Sequence, residues 1–308
     1  MTEMQVKLGN TTLRNPVVLT AGTCGVMGEI GDAINLSSIG AITTKSITKE
    51  PRIGNEPIRM TTLPNGMLNA IGLANEGIAS FVEKQSAKAT SIDTIVIGSV
   101  AGESINDYVE VACEMNAIEG IDLVEINVSC PNTSDGLEFG GCPLRLAALL
   151  NEIKPVLSDT GMIVKLSATP GDIRPHAQVA IDCGADALTL INTIPSLAID
   201  VESRHPKISR GVGGLSGEII HPIAVRIVHE IYQDVAKKAG VPIIGTGGIM
   251  RWEDAAEFIL AGASAIGIGT ASFVNPAVAP TVAKHLKKWA QRQGCNSINE
   301  LIGSLLIF

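Results

Sequence analysis

Eight short apolar segments alternate with helix-like segments along the chain, and this alternation constrains the fold more than any other feature. The segments predict strands at residues 17–22, 41–47, 95–100, 123–129, 163–167, 187–192, 242–248 and 265–270. Each is almost continuously apolar, which is typical of parallel strands buried on both faces. Amphipathic segments predict helices between them, for example at 108–119, 222–239 and 252–261. This pattern indicates an α/β fold, a (β/α)8 TIM barrel.

An open doubly wound sheet is the alternative arrangement of alternating strands and helices. No Gly-x-Gly-x-x-Gly fingerprint follows the first strand, and the glycines at 245–250 and 267–272 do not complete one. We therefore predict one barrel domain over residues 1–308. A β-hairpin at residues 5–8 and 12–14 is expected to plug the N-terminal end of the barrel.

Two connections are much longer than a barrel requires. Strand starts are separated by 54 residues between 41 and 95, and by 55 residues between 187 and 242. Both additions begin directly after a strand, on the face where barrel active sites lie. We interpret residues 48–77 and 193–217 as long binding loops after strands two and six.

Composition narrows the class of protein. Hydrophobic residues make up 45% and charged residues 18%, which excludes a disordered chain. The net charge of −8 argues against a nucleic-acid partner. There is no signal-peptide pattern and no apolar run near the ~18 residues of a membrane span. The six cysteines form no Cys-x-x-Cys pair. We expect a cytoplasmic protein without a membrane partner or a bound metal.

Glycines gather at the ends of the last two strands. Residues 245–248 read Gly-Thr-Gly-Gly, and residues 267–270 read Gly-Ile-Gly-Thr. In barrels these two loops often bind phosphate through backbone N–H groups, and glycine lets the phosphate approach closely. Neither motif contains Lys or Arg, so amide dipoles would meet the charge. The alternative that they are only tight turns stays open.

Two lysines, Lys45 and Lys165, lie in or directly after apolar strands. A buried lysine is costly unless it is paired, so each is a candidate for binding an anion or an electron-rich ligand. Two alternatives stay open: the side chains reach the rim, or one forms a Schiff base. Ser99, Asn127 and Asn192 end other strands and should face the same opening.

Residues 127–132 read Asn-Val-Ser-Cys-Pro-Asn and place Cys130 just after the fourth strand. A thiol on the active-site face of a barrel is a candidate nucleophile or general base. No histidine lies within the motif to activate a nucleophile, which favours the proton-transfer role.

Four segments together resemble the dihydroorotate dehydrogenases. They are 69–73 (Asn-Ala-Ile-Gly-Leu), 127–132, 214–217 (Gly-Leu-Ser-Gly) and 245–249 (Gly-Thr-Gly-Gly-Ile). The resemblance extends over nearly the whole chain and is strongest to the class 1B catalytic subunits. It implies FMN-dependent oxidation of dihydroorotate to orotate in de novo pyrimidine (UMP) biosynthesis. It also implies a partner subunit with FAD and a [2Fe–2S] cluster that passes electrons to NAD⁺, in a heterotetramer built on a homodimer.

The resemblance also implies roles for individual residues. Cys130 would remove the C5 proton of dihydroorotate while the C6 hydride passes to the flavin, and Lys165 would stabilise the anionic reduced flavin. The phosphate would lie on Gly247, Gly248, Gly269 and Thr270. The implied cofactor-binding residues are Ala21, Lys45, Ser46, Ser99, Asn127, Lys165, Ile191, Gly217, Gly247, Gly248, Gly269 and Thr270. The implied substrate-binding residues are Lys45, Asn69, Ala70, Ile71, Gly72, Leu73, Asn127, Asn192 and Thr193.

Several positions depart from the family pattern. Glu76 stands where the family typically has Pro, Ser99 where an Asn commonly contacts the flavin, and Ala21 and Cys24 where Ser and an aromatic residue are usual. The segment 193–197 is also atypical. Two alternatives therefore stay open: an FMN-dependent barrel oxidoreductase acting on another dihydropyrimidine, and a non-redox phosphate-binding lyase.

Overall fold

The computed structural model describes residues 2–129, 139–168 and 171–306. The predicted hairpin is present as β1 (Val6–Leu8) and β2 (Thr11–Leu13), paired antiparallel. Its turn lies against the segment that leads into the sixth barrel strand, because a Cβ on Gly9 would be 2.8 Å from the Cβ of Asp186. The hairpin therefore lies at the N-terminal end of the barrel, opposite the face that sequence reasoning assigned to the site.

Eight parallel strands close into a barrel, which confirms the predicted fold. Around the barrel each strand pairs with the next along the chain, and the last closes on the first. Several strands end earlier than predicted, so polar residues expected inside strands lie just beyond them. The barrel strands are β3 (Val17–Leu19), β4 (Ala41–Thr43), β7 (Ile95–Val100), β8 (Leu123–Asn127), β9 (Gly161–Leu166), β10 (Ala187–Leu190), β15 (Ile243–Thr246) and β16 (Ala265–Ile268).

The predicted long loops are not structureless; they pair with each other. Strands β5 (Met60–Leu63) and β6 (Gly66–Asn69) come from the first, and β11 (Ile194–Leu197) and β14 (Val212–Ser216) from the second. They form an antiparallel sheet in the order β11-β14-β6-β5, which we call the capping sheet. The short ribbon β12 (Ile199–Asp200) with β13 (His205–Pro206) extends the second insertion.

Sequence reasoning missed the capping sheet because β14 contains two glycines that indicate a turn. In the structure these glycines permit close backbone packing instead. A Cβ on Gly213 would lie 2.6 Å from the carbonyl oxygen of Asn69, and a Cβ on Gly214 would collide with Thr193. Glycine inside a strand often marks such an approach of a second backbone.

Helices pack around the barrel, and two of the three predicted examples differ at their bounds. The helix predicted from 108 starts at Ile105, because Ser104 and Asp107 form a capping box there. The one predicted over 222–239 is interrupted by a π-helical turn, Tyr232–Ala236. The α-helices are α1 (Gly77–Ala89), α2 (Ile105–Asn116), α3 (Pro143–Ile153), α4 (Arg174–Asp182), α5 (His221–Ile231), α6 (Lys237–Ala239), α7 (Trp252–Ala261), α8 (Ala271–Val274) and α9 (Val278–Arg292).

Short 3₁₀ turns complete the fold at Glu29–Asp32, Leu36–Ser38, Phe139–Gly141, Lys154–Val156, Glu218–Ile220 and Ile298–Leu301. The core is aliphatic and continuous from the barrel interior to the surrounding helices. Within the described residues, no helix is both long and apolar enough to cross a membrane.

Candidate active site

The carboxyl ends of the barrel strands and the underside of the capping sheet surround about 1290 Å³ of space that opens to solvent. This cavity brings together most residues that sequence reasoning selected. Their binding roles stay predictions, but their common location is a property of the fold. The selected residues that line it are Ala21, Lys45, Ser46, Asn69, Ile71, Leu73, Asn127, Lys165, Ile191, Asn192, Thr193, Gly217, Gly247, Gly248, Gly269 and Thr270.

Ser99 does not line the cavity, although it was predicted to contact the cofactor. It is fully buried behind Ser46, with the two Oγ atoms 2.8 Å apart. Its backbone N–H donates to Thr44 Oγ1 at 2.9 Å. Its side chain ends at Ser46 and therefore supports that residue from behind.

Ala70 and Gly72 also lie outside the cavity lining, unlike their neighbours Ile71 and Leu73. The backbone N–H of Ala70 donates to the carbonyl of Arg59 at 2.8 Å, and its carbonyl accepts from Asn55 Nδ2 at 2.9 Å. Gly72 has φ 74°, and a Cβ there would lie 2.6 Å from the backbone nitrogen of Asn55. Both residues therefore hold the first insertion together, while alternate residues face the cavity.

Cys130 lies outside the described residues, so its predicted role as the base has no structural description here. Among the described cysteines, Cys24 is close to the cavity but chemically unsuited to that role. It is buried, and its Sγ lies 3.0 Å from the carbonyl oxygen of Thr43. Burial, and secondarily the charge of Glu29, raises the pKa of the Cys24 thiol to about 12, which keeps it protonated at neutral pH.

The cavity also contains residues that sequence reasoning missed. Thr20 and Thr246 lie at strand ends, so the rule that selected Asn127 could have found them. Met60 and Met67 come from the capping sheet, which no local pattern indicated. The lining residues that were not selected individually are Thr20, Gly22, Thr23, Met60, Met67, Ser216, Ile220, Thr246, Ile249, Met250, Gly267, Ala271 and Phe273.

One side of the cavity consists of Gly217, Gly247, Gly248 and Gly269, which we call the glycine wall. Three of these have φ values that favour glycine: 97° at Gly217, 145° at Gly247 and 70° at Gly248. Packing adds a second reason, because a Cβ on Gly247 would lie 2.6 Å from Ala224 Cβ. The backbone N–H groups of Gly247, Gly248 and Gly269 find no acceptor among the described residues. They are therefore available to an anion.

Glu125 in β8 and Lys165 in β9 are the only charged residues on the eight barrel strands. Glu125 Oε1 lies 3.9 Å from Lys165 Nζ, and both side chains are at least nine-tenths buried. Glu125 Oε2 accepts a hydrogen bond from Thr189 Oγ1 at 2.8 Å, whereas Oε1 accepts none in the described structure. Sequence reasoning missed Glu125, although the criterion that selected Lys165, a charge in an apolar strand, applies to it equally.

Lys45 follows β4 instead of lying inside a strand, which corrects the sequence prediction. The strand ends at Thr43, and the Lys45 N–H donates to the carbonyl of Val26 at 3.0 Å, away from the neighbouring barrel strand. The side chain is half-buried. Burial, and secondarily the positive charge of Arg59, lowers the pKa of Lys45 from its ordinary value. Among the described residues, no carboxylate forms an ion pair with this cation.

A hydrogen-bonded cluster of amides and hydroxyls lies at the carboxyl ends of the strands and is formed by Ser46, Asn127, Ser129 and Asn192. Asn127 Nδ2 donates to Ser46 Oγ at 3.3 Å, while Asn127 Oδ1 accepts from Ser129 Oγ at 2.7 Å. Asn192 Nδ2 donates to Ser129 Oγ at 2.8 Å and to Asn127 Oδ1 at 3.2 Å. These bonds fix the orientation of both amides. We call Lys45, Lys165, Asn127 and Asn192 the polar wall.

Fold and cavity together define a (β/α)8 barrel whose cavity has, on one side, backbone N–H groups without acceptors among the described residues and, on another, a wall of lysines and amides. A family profile described as dihydroorotate dehydrogenase matches residues 3–289. The chain belongs to this family, as its sequence motifs predicted.

Several relatives match almost end to end, and each is a catalytic subunit named dihydroorotate dehydrogenase B (NAD(+)). The Bacteroides thetaiotaomicron protein is 42% identical over 306 residues, which cover 99% of each chain. The Trichlorobacter lovleyi protein is 43% identical over 303 residues, 98% of each chain. The Desulforudis audaxviator protein is 42% identical over 300 residues, 97% of this chain and 96% of the relative.

Proposed function

We propose that this chain is the catalytic subunit of an NAD⁺-linked dihydroorotate dehydrogenase, which oxidises dihydroorotate to orotate in pyrimidine biosynthesis. The observation that carries this proposal is the meeting of the glycine wall and the polar wall in one cavity. Backbone donors for a phosphate lie opposite amides and cations suited to an acidic pyrimidine. Relatives that match this chain almost end to end bear the same activity in their names.

The residues present fit FMN. The free N–H groups of Gly247, Gly248 and Gly269 suit a phosphate. Because neither glycine motif contains Lys or Arg, these backbone dipoles would meet its charge. In the described structure Lys165 Nζ has no hydrogen-bond acceptor, so its donors are free for an electron-rich ring. When bound, FMN supplies a two-electron acceptor for the hydride from the substrate.

The chain's own groups then explain how the substrate is held. Dihydroorotate carries ring amides, which alternate donors and acceptors, and one carboxylate. Asn127 and Asn192 offer oriented amides to the ring. Lys45 offers a half-buried positive charge to the carboxylate. In this proposal Cys130 takes the C5 proton, so that loss of that proton and of the C6 hydride forms the C5–C6 double bond of orotate.

A second subunit follows from the same proposal. The relatives are named as catalytic subunits, which implies a separate partner chain for them. We propose that the partner carries FAD and a [2Fe–2S] cluster and passes electrons to NAD⁺, and that two copies of this chain form the homodimeric core of a heterotetramer. The cytoplasmic location stays a prediction from the sequence.

The test is reduction of the bound flavin by substrate. The purified chain should contain FMN, and anaerobic addition of dihydroorotate should bleach its visible absorption. If the protein is yellow and another dihydropyrimidine bleaches it while dihydroorotate does not, the proposed substrate is wrong and the cofactor is right. A colourless protein that binds no FMN would overturn it entirely.

The proposed base has its own test. Cys130→Ala should keep FMN and lose turnover about 10²- to 10⁴-fold, the usual contribution of a positioned proton acceptor. Cys113→Ala is the matched control, because Cys113 is an exposed free cysteine on helix α2. Equal activities of the two variants would remove Cys130 from this role.

A further inference from the structure

We propose that His221 is a positioning residue for the cofactor phosphate, because it fixes the peptide that joins Gly247 to Gly248. This inference rests on the proposed function, since the phosphate is that of FMN. His221 is the first residue of helix α5 and is buried at the edge of the glycine wall. Its Nδ1 lies 2.8 Å from the carbonyl oxygen of Gly247.

The direction of this hydrogen bond determines the direction of the next N–H group. A carbonyl oxygen only accepts, so Nδ1 must carry the proton and donate it. The Gly247–Gly248 peptide is trans, and in a trans peptide the C=O and the following N–H point in opposite directions. Because the Gly247 carbonyl points to His221, the Gly248 N–H points away from the imidazole. That N–H has no acceptor among the described residues, and Gly248 lines the cavity.

A device that selects one orientation is needed here because two consecutive glycines have unusual freedom. Their φ values, 145° and 70°, lie where glycine moves between conformations at little cost. Without a bond to its carbonyl, this peptide could rotate and withdraw the donor from the cavity. The hydrogen bond from His221 orders this peptide before the phosphate binds, so less conformational entropy is lost on binding.

The imidazole is itself held in place by its neighbours. The rings of His221 and Phe258 meet edge to face, with centroids 5.2 Å apart and planes at 85°. Glu257 Oε2 lies 3.4 Å from Nε2, on the side of the ring opposite the glycines, without the geometry of a hydrogen bond. Close packing completes the arrangement, since a Cβ on Gly248 would be 2.8 Å from His221 Cβ. The ring has little freedom to leave the Gly247 carbonyl.

The experiment compares two flavins that differ only in the phosphate. Dissociation constants of FMN and riboflavin are measured with the flavin-free full chain by fluorescence quenching, and their ratio is the phosphate preference. His221→Leu should lower this preference about tenfold, the size of one hydrogen bond, and leave riboflavin affinity within about twofold. His221→Asn should restore most of it, because the asparagine amide nitrogen reaches the position of Nδ1.

His229→Leu is the matched control, because His229 lies on the same helix, is partly buried and has no bond to the glycine wall. It should leave the phosphate preference unchanged. If His221→Leu retains the preference of the unaltered protein, or weakens both flavins equally while His221→Asn rescues neither, the positioning role is wrong and the proposed function stands. If the unaltered protein binds neither flavin, or binds FMN no better than riboflavin, the proposed cofactor is wrong instead.

Discussion

The two walls of the cavity meet ligands by different physical means. The glycine wall offers backbone N–H groups, whose positions depend on φ values and on close packing against Ala224 and His221. The polar wall offers side chains, whose charge and orientation depend on partners such as Ser129 and Glu125. Every residue except proline keeps its backbone donor, so a substitution such as Gly to Ala displaces the N–H through the added Cβ and does not remove it. Side-chain donors can be removed, neutralised or left without a counter-charge.

The walls also differ in what their charge costs. Backbone dipoles carry no net charge, so the glycine wall needs no buried counter-ion. Lys165 does carry a net charge inside the barrel, and the adjacent strand places Glu125 3.9 Å away. Removing one member of a buried pair leaves an uncompensated charge, which is far more destabilising than replacing both. The polar wall is therefore expected to be the more sensitive of the two to single substitutions.

The largest expected effect comes from breaking the buried pair. Glu125→Leu should lower the free energy of unfolding by about 3–5 kcal/mol, because Lys165 is left buried without its counter-charge. The double variant Glu125→Leu/Lys165→Met should recover most of that loss. Urea unfolding of the flavin-free protein measures both. A double variant no more stable than Glu125→Leu alone would show that the lost stability has another origin than the pair.

A smaller effect is expected at the glycine wall. Gly248→Ala should weaken FMN binding about 10- to 100-fold, since strain of about 1–3 kcal/mol falls on the phosphate-binding peptide. The added methyl would lie 2.8 Å from the Gly217 carbonyl oxygen. Gly294→Ala is the control, because Gly294 also has positive φ (76°) but has no atom within 4 Å of the added methyl. Equal FMN affinities of the two variants would argue that this wall does not hold the phosphate.

The smallest effect is a shift in pH dependence at Lys45. Lysine is a cation below its pKa, so carboxylate binding should be retained at low pH and lost as pH rises through that pKa. Burial and Arg59 lower the pKa of Lys45, so the loss should begin at lower pH than for an ordinary lysine. Arg59→Gln removes one of the two causes and should move the loss of orotate affinity to higher pH.

Orotate titrations across the alkaline range measure this shift. Arg52→Gln provides the control, because Arg52 lies on the same insertion but pairs with Glu103. If the pH profile moves equally in both variants, or in neither, Lys45 is not the residue that binds the carboxylate.

Local signals were sufficient for part of this site. Strand-end residues such as Asn127 and the glycine pair 247–248 could be predicted, because apolar strands and glycine motifs are patterns of consecutive residues. Glu125 was equally predictable, because it too is a charged residue within an apolar strand. The capping sheet was not readable, since glycine-rich β14 becomes a strand only where a second backbone lies against it.

Eight apolar segments with helices between them determine the barrel. Strands that are apolar on both faces must be covered on both faces, and few arrangements of a parallel sheet achieve this. They also place residues such as Asn127 and Asn192 near strand ends that share one opening, although several strands end earlier than predicted. Only the tertiary structure decided that two distant insertions pair, that Ser99 stands behind Ser46, and that His221 bonds to the Gly247 carbonyl. The pairing of the two insertions joins residues far apart along the chain, 145 positions at Asn69 and Gly214. No local periodicity encodes these contacts, because they depend on how whole elements pack.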